Sequence, residues 1–169
     1  MNLRKMILSS LFLSIGMVLH QMMPPILFGM KPDIMLCMMF IAIALAKDYK
    51  TTLIIGLVAG ILTAAISTFP GGQIPNVIDK FITANFAYGL LKLMENKLTQ
   101  QLQMIVTAFF GTLISGTVFL GSAAMLVGLP GSFTALMLAV VIPATLFNAV
   151  GCSVLYNAVI LSLKRVRSV

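Results

Sequence analysis

Residues Thr52–Lys80 read TLIIGLVAGILTAAISTFPGGQIPNVIDK, and the fold turns on this stretch. Its first part, to about Phe69, is an uncharged apolar run. A helix of that length crosses most of a hydrocarbon core about 30 Å thick, at about 1.5 Å per residue. Pro70-Gly71-Gly72-Gln73 then ends it, because proline lacks an amide donor and paired glycines favour a turn. A second helix begins near Pro75, a residue suited to a first helical turn, and continues to about Met94 with Asp79 and Lys80 in its opening turns. The stretch is therefore a hairpin of two membrane spans with two charged residues near the start of the second.

Working outward, the same ruler finds four more spans. One runs from about Met6 to Met23 and stops at Pro24-Pro25; another runs from about Pro32 to Ala46, ahead of Lys47-Asp48-Tyr49-Lys50. A polar stretch, Glu95 to Gln103, leads to a span from about Met104 to Val127, and Gly128-Leu129-Pro130-Gly131-Ser132 forms the next turn. The last apolar run, Phe133 to Leu163, is too long for one upright span and must tilt, kink at Pro143 or lie along the interface. Arg4 and Lys5 before an apolar run imitate a signal peptide, but no small-x-small cleavage site precedes Pro24, so the first span is expected to be uncleaved.

Composition agrees. Of 169 residues 60% are hydrophobic and 9% charged, with a mean hydropathy of +1.08. A soluble domain carries roughly a quarter charged residues. So few charges cannot cover the surface of a small water-soluble globule. The expectation is an all-α integral membrane protein, a six-transmembrane-helix bundle forming a single transmembrane domain over residues 1–169.

The charges set an orientation. Arg4, Lys5, Lys47, Lys50, Lys92, Lys97, Lys164, Arg165 and Arg167 fall on one side of a six-span chain, and only Lys31 and Lys80 on the other. Cationic loops stay cytoplasmic, so both termini are expected inside. Asp48 and Glu95 leave the inner side with the whole formal charge of +7, while Lys31 and Lys80 balance Asp33 and Asp79 outside. Nucleic-acid binding is excluded, since the cations lie scattered between apolar runs without a groove or an aromatic platform.

Small residues recur at helical spacing: Ser10 and Ser14; Thr52, Gly56, Gly60 and Ala64; Thr107, Gly111 and Ser115. Such stripes let helix backbones approach in lipid, and Ser10 and Ser14 are also candidates for docking another subunit. Cys37 and Cys152 lack disulfide or metal spacing and read as buried hydrophobes; the thirteen methionines read as adaptable packing. His20, without companion ligands, reads as an interfacial side chain. Thr145, Asn148 and Cys152 share one face of the last span. An amide in hydrocarbon costs several kcal/mol unless bonded, so Asn148 should meet a partner helix, a water or a ligand.

On the outer side Lys31, Asp33, Gln73, Asn76, Asp79 and Lys80 gather beside Phe28, Phe69, Phe81 and Phe133. Two cations, two carboxylates, two amides and rings match an amino acid, which offers a carboxylate, an ammonium and a side chain. The structural alternative is that Asp33 caps a helix, Asn76 and Asp79 form a capping pair, and the lysines face solvent. No HExxH pair, nucleophile elbow or P-loop occurs, so no enzyme, catalytic residue, metal site or cofactor is expected, and ATP-driven work needs partners.

The segments MPPILFGMKPDIMLCMMF (Met23–Phe40), TFPGGQIPNVIDK (Thr68–Lys80), GTLISGTVFL and VGLPGSF (between Gly111 and Phe133) resemble the small bacterial tryptophan transport protein family, TrpP, in the same order along the whole chain. That family resembles the substrate-binding S components of energy-coupling factor transporters: six helices that bind a solute from outside and depend on a transmembrane coupling subunit and two ATPases. The resemblance implies uptake of L-tryptophan or a related aromatic amino acid across the bacterial cell membrane by a multi-pass protein embedded in lipid. It gives Ser10 and Ser14 the position of the S-component docking stripe, with serine where alanine is usual. Topology and chemistry, not the resemblance, nominate Lys31, Asp33, Phe69, Gln73, Asn76, Asp79, Lys80 and Asn148 for substrate binding. The alternatives are a stand-alone amino-acid carrier and a non-transporting scaffold for envelope assembly. The chain has no tryptophan, which would suit synthesis when that amino acid is scarce.

Overall fold

The computed structural model describes residues 3–23 and 33–167, and among these the chain is helical without strands. The helices are α1 (Leu3–Met22), α2 (Ile34–Ala46), α3 (Tyr49–Ala65), α4 (Gln73–Met94) and α5 (Gln100–Leu126), followed by one long rod. That rod consists of the short α6 (Phe133–Leu136), a π-helical segment (Met137–Val141) and α7 (Ile142–Arg167).

Cross-links fix which ends lie together. The Lys5 ammonium donates to the Ala46 carbonyl, Lys47 pairs with Glu95 at 3.6 Å, and the Tyr156 hydroxyl donates to Gln100 Oε1 at 2.8 Å. The start of α1, the ends of α2 and α4, the start of α5 and the second half of α7 therefore share one end of the bundle, here termed proximal. The opposite, distal end holds the end of α1, the start of α2, the α3–α4 turn and the end of α5.

The core is organised around α2, which packs against α1, α3, α4, α5 and α7. Its thirteen residues span only about 20 Å at about 1.5 Å each, short of a hydrocarbon core of about 30 Å. Every residue from Ile34 to Ile43 is buried. A helix enclosed by protein needs no lipid-matched length. Its last turn is tied to Lys5 at the proximal end, and Asp33 caps its other end.

The outer faces reverse the pattern of a soluble bundle. Ile7, Leu11 and Val18 on α1, and Leu146, Val150, Val154 and Leu161 on α7, are exposed at helical spacing. Apolar residues turned outward suit a lipid surround. By length and apolarity α1, α5 and the 133–165 rod are able to cross a membrane; α2 and α3 are shorter apolar helices, and α4 is long but more polar.

The Gly56 and Gly60 stripe does what small residues allow. A Cβ on Gly60 would lie 2.9 Å from Val77 Cα, and one on Gly56 would lie 2.7 Å from Ala84 Cβ, so α3 and α4 touch through backbone. The break between them is local: Gly71 has φ +72°, where glycine alone is unstrained, and a Cβ there would strike Val127.

Several boundaries differ from the sequence reading. Helix α3 ends at Ala65, ahead of Phe69, and α4 begins at Gln73 with Pro75 inside its first turn. The capping pair expected of Asn76 and Asp79 does not form: Gly72 is the N-cap, and the Asn76 amide reaches back to the Gly72 carbonyl at 2.8 Å and to Ser67 Oγ at 3.1 Å. Asp33 does cap α2, accepting from the Leu36 amide at 2.9 Å. In the last rod the π segment precedes Pro143, whose ring would otherwise press on the Ala139 carbonyl; the wider turn relieves that contact.

Candidate binding site

Four of the residues nominated from sequence meet in one buried network below the distal rim. Lys80 lies in the third turn of α4, about 10 Å along the helix from Gln73. Its ammonium donates to Asp79 Oδ2 at 2.8 Å and to Asp33 Oδ2 at 3.0 Å, with Ser115 Oγ of α5 at 3.3 Å. The side chains of Lys80 and Asp79 are 3% and 1% exposed, and that of Asp33 is 27%. Ion pairs so enclosed are costly to break, because a lone charge left behind loses both water and partner.

Both oxygens of Asp79 are bonded. Oδ2 also accepts from Ser115 Oγ at 2.9 Å, and Oδ1 accepts from Thr83 Oγ1 at 2.9 Å. Asp33 is held from two sides. Its Oδ1 caps Leu36 and lies 3.8 Å from Nδ1 of His20, while its own amide donates to Asn148 Oδ1 at 3.0 Å. Asn148, 1% exposed, passes the chain on by donating from Nδ2 to Thr112 Oγ1 at 3.2 Å. Five helices, α1, α2, α4, α5 and α7, thus converge on one polar knot.

Phe69, Gln73 and Asn76 lie apart from this knot, at the same end. Phe69 stacks edge-on against Phe119 of α5, with ring centroids 5.4 Å apart; Asn76 braces the α3–α4 turn; Gln73 is exposed. The described hydrogen bonds of Asn76 do not reach Asp79 or Lys80. Lys31 lies outside the described residues, as do Pro24, Pro25, Phe28 and Pro32. Ser10 and Ser14 are exposed on the outward face of α1.

The chain matches the family described as tryptophan transporter TrpP over residues 2–164. The chain belongs to that family. It is 52% identical over 164 residues to the probable tryptophan transport protein of Clostridium acetobutylicum, covering 97% of this chain and 96% of the relative. It is 42% identical over 165 residues to that of Bacillus subtilis (98% and 95% covered), and 39% over 173 residues to that of Clostridium perfringens (97% and 95%). No solved structure matches the chain. TrpP and these relatives are transport proteins, not enzymes.

Four members of the knot escaped the sequence reading. His20, read as interfacial, faces Asp33. Ser115, read as a packing residue, touches both ions of the α4 pair, and Thr83 and Thr112 complete the bonds of Asp79 and Asn148. A signal existed for Thr83, which lies one helical turn after Asp79 and so on the same face.

Proposed function

We propose that the protein carries L-tryptophan, or a closely related aromatic amino acid, into the cell across the bacterial plasma membrane, with six crossing helices and both termini cytoplasmic. The cationic residues gathered at the proximal end support that orientation, since such loops stay inside.

The single observation that carries the site is the buried Lys80–Asp79–Asp33 triad near the distal end. A zwitterion exchanges with such a triad without leaving a charge unpaired: its carboxylate replaces an aspartate on Lys80, and its ammonium takes the aspartate so freed. Asn148 and Thr112 hold Asp33 in place for this exchange. Phe69 offers a ring to the indole, the Pro70–Asn76 turn with Gln73 closes over it, and Lys31 is a second candidate to hold the carboxylate. Micromolar affinity corresponds to about −8 kcal/mol, within reach of two charge-assisted contacts and one enclosed ring.

We further infer that the chain is the substrate-binding component of an energy-coupling factor-type transporter. The absence of a P-loop from the sequence and the exposure of Ser10 and Ser14 on α1 support this. Copurification with a transmembrane coupling subunit and two ATPases is expected; uptake by the lone chain in ion-gradient liposomes would instead make it a stand-alone carrier. For the site, labelled tryptophan uptake in cells carrying Lys80→Ala with Asp79→Asn is expected to fall to background. Uptake at the unsubstituted rate refutes the siting, and failure of every aromatic amino acid to bind the purified protein refutes the substrate.

A further inference from the structure

The proximal end holds a hollow that the triad does not explain. It measures about 410 Å³, within the usual range of about 300–1,000 Å³ for small-molecule sites. It lies where α2, α4, α5 and α7 come together, and its wall is half polar in kind: Tyr88, Met104 and Tyr156 beside Lys47, Lys92 and Glu95. Resting on the tryptophan reading above, we propose that this hollow is a second binding site for an aromatic amino-acid zwitterion, the station from which it is released to the cytoplasm.

The chemistry of the wall fits that ligand in three parts. Lys47 and Lys92 present ammonium groups to a carboxylate, Glu95 presents a carboxylate to an ammonium, and Tyr88 and Tyr156 present ring faces and edges to an indole. These groups are free to exchange. The Lys47–Glu95 pair is 3.6 Å long with side chains 60% and 50% exposed, and a pair so exposed is weak because water screens it. Lys92 lies 5.8 Å from the centroid of the Tyr88 ring, a cation already poised over an aromatic face. The frame behind them is fixed: Tyr156 is bonded to Gln100, and Gln103 donates to the carbonyls of Met94 and Leu98, pinning the α4–α5 turn.

The two ends of α2 are in opposite conditions. At the distal end Lys80 is latched to both carboxylates and 3% exposed; at the proximal end the charged groups stand open around a hollow. From Asp33 to Ile43 is about 15 Å along the helix axis. Phe40 and Met39, each 0% exposed, plug the interval, and the Phe40 ring lies against Gly111. Among the described residues the triad is thus enclosed, while the charged groups of the proximal hollow are exposed.

The test uses the full chain in inside-out membrane vesicles. Ala44→Cys places a thiol in the hollow, with Leu91→Cys as a second reporter; the native Cys37 and Cys152 are buried and serve as the unlabelled background. Reaction with a membrane-impermeant maleimide is followed with and without L-tryptophan. Protection is expected to follow occupancy, slowing labelling about tenfold at ten times Kd. It should survive Lys80→Ala with Asp79→Asn, or Asp33→Asn if that pair does not fold, and weaken in Lys92→Ala. Four results overturn the inference: protection lost with the triad variants, protection by anionic phospholipid independent of tryptophan, labelling only in right-side-out vesicles, or no protection although the purified protein binds tryptophan. The last refutes the second site and leaves the transport reading standing, whereas absence of any binding to the purified protein refutes both.

Discussion

Replacing Lys80 by methionine removes the ammonium that lies 2.8 Å from Asp79 and 3.0 Å from Asp33, and leaves a side chain of similar length. Two carboxylates then face each other, one of them 1% exposed, and among the described residues the Leu36 amide, the Ser115 and Thr83 hydroxyls and the His20 imidazole remain beside them. Removing one partner of a buried pair costs about 3–5 kcal/mol. At about 2–4 °C per kcal/mol for a chain of this size, the melting temperature should fall by about 6–20 °C. Asp79→Asn is the milder change. It leaves Lys80 paired with Asp33 and keeps an oxygen for Ser115 or Thr83, costing about 1–3 kcal/mol for imperfect bonds. The combined variant keeps one carboxylate, Asp33, which is 27% exposed and capped on Leu36. Its loss should therefore be smaller than the sum of the two, with a coupling of about 1–3 kcal/mol. Thermal unfolding of the three purified variants in one detergent, followed by far-ultraviolet circular dichroism, reads all of these quantities. The reasoning fails if Lys80→Met melts with the unsubstituted protein, or if the two losses add within about 0.5 kcal/mol.

Two further outcomes follow from local geometry. Gly60→Ala should destabilise by about 1–3 kcal/mol, because the new methyl meets Val77 backbone at 2.9 Å, whereas Gly89→Ala, with nothing within 4 Å, should be neutral or stabilising; equal melting temperatures for the two refute backbone contact between α3 and α4. Thr51 bonds to Asp48 hold that carboxyl below its ordinary value of 3.8. A lowered folded-state value means that the bonds stabilise α3 above the unfolded value and that this stability fades as pH falls through the folded one. Thr51→Val should accordingly differ from the unsubstituted protein at neutral pH and converge with it in acid; a pH-independent difference in melting temperature refutes the cap.

The hairpin of α3 and α4 was legible because its signals are local. Pro70 and Gly71 act on their own backbone, and Gly56 and Gly60 stand one turn apart on a helix whose length is set by the span. The central position of α2 was not. Its run from Ile34 to Ala46 is apolar on every side, and a helix without a polar face reads equally as a lipid-facing span or as a core. Its thirteen residues are too few to cross alone, and only enclosure by five neighbours explains how so short a helix serves. The start of α4 was misplaced for a different reason. Asn76 and Asp79 have the spacing of a cap, but Gly72 is the N-cap and the Asn76 side-chain amide donates to its carbonyl, so the helix begins at Gln73, two residues before Pro75.

The site divides along the same line. Asp33, Asp79, Lys80 and Asn148 announced themselves because an ion or amide among apolar residues must find a partner, and each of them did. A hydroxyl carries no such obligation, since serine and threonine can satisfy themselves on the carbonyl one turn back in their own helix. Thr117, Ser122 and Thr145 do this, bonding to Leu113, Val118 and Val141. Ser115 lies on the same helix as Thr117, only two residues away, and instead bonds to Asp79 on α4. They point about 200° apart around the helix, Ser115 onto the buried face with Thr107 and Gly111 and Thr117 onto the exposed one. What the sequence does not show is that α4 brings a carboxylate against the buried face at Ser115, and that is a property of two helices together. A polar knot built across helices therefore shows its ions in the sequence and hides the hydroxyls that hold them.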